Sequence, residues 1–148
     1  MNGLPDEVIA SVGRITIAAG DLELILAWIG GVDGDGDAFK ILAKPGEPLR
    51  AARRAVEVAA PTIYRDAFQA TVERAAQLLM RRHTVVHAMW VNDDPDQGWE
   101  LLHYKTAVRH LADPQTLDDL ARELMDVRNQ LVRIVTAQIN NRPIPTPL

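Results

Sequence analysis

Apolar residues recur at alternating gaps of four and three along the start of the chain: Val8, Val12, Ile15, Ala19, Leu22, Leu26 and Ile29. That period places them on one side of an amphipathic α-helix of about seven turns, which must bury this stripe against something. Pro5 sits where a first helical turn tolerates proline, and Asp6 and Glu7 suit the positive end of the helix dipole. Gly30–Gly31 marks the end of the helix. Gly13 and Gly20, seven apart, offer a side on which another helix can cross closely.

The same alternation returns near the other end in Leu117, Leu120, Leu124, Val127, Leu131, Ile134 and Gln138. Thr116 is the predicted cap of this helix, with Asp118 and Asp119 in its first turn. The pattern is a seam for a bundle or for a second copy of the chain. Between the two seams, residues 38–44 suit one helical turn or two before Pro45–Gly46. Pro48 opens a helix running through Arg50–Ala60 to Pro61, and Thr62 caps a long helix from Ile63 to about Trp90. One stripe of that helix reads Phe68, Val72, Ala75, Leu79, Arg82, Val86, Met89; its neighbour reads Ala76, Met80, His83, His87, Trp90. Polar groups thus enter apolar stripes in its last third.

After Val91 comes a turn cluster, Asn92–Gly98, and then a loosely alternating WELLHYK. A short hairpin pairing residues near 89–91 with 99–104 follows from this change of period. The fold predicted is all-α, an antiparallel helical bundle of four to five helices, with a short β-hairpin-like excursion near residues 89–104. Residues 1–142 make a single domain and 143–148 a flexible C-terminal tail. At 148 residues the chain suits one domain with a real core.

Composition excludes more than it selects. With no cysteine there is no disulfide scaffold, thiolate zinc site, iron–sulfur cluster or cysteine nucleophile. The start of the chain lacks the positive region of a secretory signal, and no apolar run approaches the ~20 residues of a membrane helix. A cytoplasmic protein without membrane contact is expected. The net charge of −4 resolves into −6 for residues 1–39, +5 for 40–90 and −3 for 91–148. A basic middle can meet a phosphate backbone, or it can pair with the acidic first helix.

Three candidate sites follow. Asp33, Asp35 and Asp37 imitate the start of a calcium loop, but Ala38 and Lys44 stand where glycine and a bidentate glutamate are required, which leaves an acidic linker. His83 and His87, four apart, can offer two imidazoles to a zinc ion, with His103, His110 or a carboxylate completing the set. The third is Arg82-His83-Thr84-Val85-Val86-His87, an arginine followed by a polar residue and, five positions on, a histidine. Arg81 to His87 gives the same pattern with one more residue. Arg82 lies on an apolar stripe, so it needs an anionic partner such as Glu23 or a place on a cleft.

Around that arginine and histidine the sequence resembles the HEPN superfamily, whose signature is an arginine, four to six residues and a histidine. RRHTVVHAMW is similar to its small helical members, as is the placement of the motif late in a long internal helix with a closing helix after it. The resemblance covers about ten residues in motif and most of the chain, 1–142, in architecture. It implies a metal-independent endoribonuclease without cofactor, in which the ribose 2′-hydroxyl attacks the adjacent phosphate. His87 would act as the base, Arg82 would stabilise the phosphate, and His83 would orient it or assist proton transfer. Arg53, Arg54, Arg74 and Arg81, from the basic stretch, would hold the RNA backbone. The resemblance also implies a homodimer with two motifs facing one groove, a toxin or phage-defence setting, and a nucleotidyltransferase-type antitoxin as a partner. A non-catalytic helical dimer acting as a protein- or nucleic-acid-interaction module is the alternative within the same fold.

Overall fold

The computed structural model describes residues 3–32, 37–58, 63–94, 96–103 and 105–145 of the chain. In order these form α1 (Asp6–Val32), α2 (Ala38–Leu42), α3 (Glu47–Val58), α4 (Ile63–His87), β1 (Met89–Val91), β2 (Glu100–Leu102), β3 (Arg109–Leu111) and α5 (Pro114–Ile139). Asp33 and Asp35 of the calcium comparison, Pro61 and Thr62 as helix stop and cap, and residues 146–148 of the tail lie outside the described residues.

The two seams are the core. Ile15, Leu22 and Leu26 of α1 meet Leu124, Leu131 and Ile134 of α5, all fully buried, and Val72 and Leu78 of α4 close the third side. Leu117, Leu120, Leu124, Val127, Leu131 and Ile134 are all buried, as a 3.5-residue period requires. Arg14 bonds Asp118 near the starts of α1 and α5 at 2.8 Å, while Trp28 and Ile139 line one groove near their ends. The two helices therefore run in the same direction. α4 runs against α5, since Tyr64 donates to the Arg142 carbonyl at one end and Arg81 bonds Glu123 at the other.

Helix ends depart from expectation in instructive ways. α1 continues through Gly30–Gly31 to Val32, and the close crossing occurs at Gly30 rather than at Gly13 or Gly20. A Cβ built on Gly30 would overlap the Ala51 side chain of α3, whereas nothing lies within 4 Å of one built on Gly13 or Gly20. The cap of α5 is Asp113, not Thr116: its carboxylate accepts from the Gln115 and Thr116 amides at 3.4 and 3.2 Å and from the Thr116 hydroxyl at 2.9 Å. Pro114 then supplies a first helical residue that needs no amide partner, and Asp118 and Asp119 fall in the second turn.

α4 ends at His87, three residues short of Trp90, because the chain there turns into a sheet. Its last buried residues are Leu78 and Val85, while Val86 and Met89 of the expected stripe are exposed and Arg82 sits half-buried at the boundary. The hairpin is in register as Met89 with Leu102, Trp90 with Leu101 and Val91 with Glu100. A third strand, β3, extends it on the far side of β2, with His110 opposite Leu101. Leu101 is the anchor, buried among the helices. No helix among the described residues is long and apolar enough to cross a membrane.

Candidate functional site

The end of α4 gathers the sequence-predicted catalytic residues. His83 and His87, one helical turn apart, are both exposed, with ring centroids 4.3 Å apart and planes tilted by 44°. The His83 imidazole is held below its ordinary pKa of 6.5, first by partial loss of water around the ring. Repulsion by His87, Arg82, Lys105 and His103 follows in that order. His83 is thus a neutral imidazole at neutral pH, able to accept a proton in a field that favours anions. Lys105 and His103 reach this field from the turn after β2; no helical period points to Lys105, which was not among the predicted residues, and His103 was named only as a third ligand for zinc.

Arg82 projects toward α1. Its Nη2 bonds the Glu23 carboxylate, the side chains being 26% and 30% exposed, and its Nε is buried with no hydrogen-bond partner. A cation at the edge of the core is tolerable there because a carboxylate from the facing helix compensates it. α4 stays regular through both residues, so Arg82 and His87 leave the axis about 140° apart. No hydrogen bond joins them among the described residues. His83, adjacent to one in sequence and beside the other in space, is what links them electrostatically.

The four arginines assigned to RNA are each held by a glutamate. Arg53 on α3 makes a two-pronged pair with Glu73 of α4, both bonds 2.9 Å, and this pairing holds the Glu73 carboxyl below its ordinary value. Arg54 bonds Glu47 at 2.7 Å, and its hydrogen bond is the main cause of a lowered Glu47 pKa, with Arg50 second. Arg74 and Arg81, two turns apart on α4, share Glu123 of α5 at 3.0 and 2.9 Å. All four remain exposed, spread over the α3–α4 and α4–α5 surfaces rather than collected around His87. Of the basic residues in the middle third, Arg53, Arg74, Arg81 and Arg82 are thus paired across the seams between helices, while Arg50 and Arg54 pair with Glu47 within α3.

For zinc, His83 and His87 stand together, but among the described residues no group of three or more histidines, aspartates and glutamates is gathered closely enough to hold a metal ion. Asp37 of the calcium comparison instead caps α2, accepting from the Phe39 amide at 2.9 Å. What the arrangement at the end of α4 can do is bind an anion with Arg82 and Lys105 while a neutral imidazole takes a proton. Compared with protein-family models, curated proteins and solved structures, the chain gives no significant match.

Proposed function

We propose that the end of α4 is an RNA-cleaving site of HEPN type, acting without metal or cofactor. The observation that carries this reading is the exposed His83–His87 pair beside an Arg82 whose guanidinium is already oriented by Glu23. In the proposed step the ribose 2′-oxygen forms a bond to the adjacent phosphorus, and His87 takes the 2′-hydroxyl proton. The bond from phosphorus to the 5′-oxygen breaks, and that oxygen leaves with a proton from solvent. Arg82 and the neighbouring cations stabilise the extra negative charge of the five-coordinate phosphorus, and neutral His83 orients the phosphate. Cleavage leaves a 2′,3′-cyclic phosphate and a 5′-hydroxyl. A single 2′-deoxy substitution at the scissile ribose is expected to block the cut there; cleavage that ignores this substitution would contradict the mechanism. An RNA-cutting protein of this size suits a toxin or defence role in the cytoplasm, held in check by an antitoxin of nucleotidyltransferase type.

A second reading is favoured by one specific observation: Arg53, Arg54, Arg74, Arg81 and Arg82 are each engaged by a glutamate of the same chain. A helical module that binds a protein or nucleic acid without cutting it needs no more than this. That reading expects no cleavage under any condition and stable capture of a partner by the purified chain.

A further inference from the structure

Helices α1, α2 and α5 line an apolar groove of about 490 Å³, within the ~300–1,000 Å³ of small-molecule sites. Leu24 and Trp28 of α1, Phe39 of α2 and Ile139 of α5 line it at 41%, 43%, 75% and 68% exposure. Val132 and Val135 of α5 line it half-buried. None of Arg82, His83 or His87 does, so the groove is separate from the end of α4.

Among the described residues that line this groove, Arg128, half-buried on α5, is the only ionisable one. Its Nη1 donates to the side-chain oxygen of Asn129 at 3.2 Å, a neutral acceptor that leaves the charge uncompensated. Its Nε is buried with no hydrogen-bond partner, and no carboxylate pairs with it among the described residues. Arg53, Arg54, Arg74, Arg81 and Arg82, by contrast, are each engaged by a glutamate. A half-buried cation without a counter-charge is costly. An anion with an apolar body relieves that cost and covers the apolar walls together.

We propose that the groove binds a single-chain amphiphile with a carboxylate head, a fatty acid in chemical class, its head on Arg128 and its tail along α5. A guanidinium fork matches a carboxylate, whereas a doubly charged head would lack a second cation among the lining residues. From Arg128 to Ile139 α5 rises about 16 Å, roughly the length of an extended twelve-carbon chain. Val132 and Val135 lie along that path, and Leu24 and Trp28 of α1 flank it. Since α1 and α5 run in the same direction, the Arg14–Asp118 bond sets Leu24 about level with Arg128. The inference is independent of the RNA-cleaving reading.

The test is calorimetric titration of the full chain with monomeric dodecanoate, with amide NMR locating the contact and circular dichroism confirming each fold. Dodecanoate is expected to bind with a Kd of about 100 μM or tighter. It shifts amides around Leu24, Trp28 and Arg128 and leaves those of His83 and His87 in place. Dodecyltrimethylammonium, the same tail under a cationic head, binds about tenfold more weakly or worse. Arg128→Met loses about tenfold, and so does Leu24→Glu, which sets a carboxylate from α1 in the place of the ligand head. No binding at about 1 mM, equal affinity for the two amphiphiles, or shifts confined to other faces overturns the proposal. So does dodecanoate affinity unchanged in folded Leu24→Glu, or a groove covered by a second copy, in which Leu24→Glu turns a dimer into a monomer.

Discussion

Glu23 of α1 holds the guanidinium of Arg82 on α4, tying the first helix to the one that carries the histidines. The pair is half-buried, so each member alone would be a charge at the edge of the core. Glu23→Gln is expected to cost about 1–2 kcal/mol, because it strands Arg82 whose Nε already lacks an acceptor. Replacing both, Glu23→Gln with Arg82→Met, recovers much of that loss. Denaturant titration of Glu23→Gln, Arg82→Met and the double variant checks this, and a double variant as unstable as the sum of the singles would count against the pair.

His83 titrates below 6.5, chiefly through partial dehydration and then through His87 and Arg82. The unfolded chain accordingly binds a proton at this residue more readily than the folded one. Stability contributed by neutral His83 is present above the unfolded pKa and is lost as pH falls through 6.5 toward the lower folded value. Imidazole resonances followed by NMR are expected to give a His83 midpoint below 6.5, rising in His87→Ala and in Arg82→Ala. A midpoint at or above 6.5 in the wild type contradicts the electrostatic picture of the site.

Three glycines of one helix separate by what faces them. Gly30→Ala would press a methyl group into Ala51 and is expected to destabilise by about 1–3 kcal/mol. Gly13→Ala and Gly20→Ala meet nothing within 4 Å and are expected to stabilise, each by up to ~1 kcal/mol. Thermal melts of the three variants decide it; a harmless Gly30→Ala would mean the α1–α3 crossing is looser than described.

Ala107 has φ of 56° in the turn between β2 and β3, where its amide donates to the His103 carbonyl at 2.8 Å. A left-handed alanine costs roughly 1 kcal/mol that glycine avoids. Ala107→Gly is expected to raise stability by about 0.5–1 kcal/mol, or a few degrees in Tm. A lowered Tm would argue against this turn, which carries Lys105 toward His83.

The seams of α1 and α5 were legible because their apolar residues keep one period from end to end and one helix covers the other. Arg82 was legible as a residue in need of an anion, and Glu23 as a suitable one, for the same reason. Three things were not. The end of α4 at His87 is set by strand pairing of Met89 with Leu102, which no helical period registers. β3 is three residues long and exposed throughout, so it leaves no alternation to read. Thr116 and Asp113 are both good caps, and only the chain direction into Pro114 decides for Asp113. The basic character of residues 40–90 was correctly read as a sum, but its partners Glu23 and Glu123 lie far off in sequence.

The central claim, that the end of α4 cuts RNA, is tested most directly by incubating the purified chain with a mixed-sequence RNA in excess chelator. Alongside it run Arg82→Ala and His87→Ala, each shown folded by circular dichroism. The account predicts cleavage by the wild type that chelator does not suppress, and a loss of about 100-fold or more in both variants. Cleavage that continues undiminished in both variants, or a folded wild type that cuts no RNA, would contradict it.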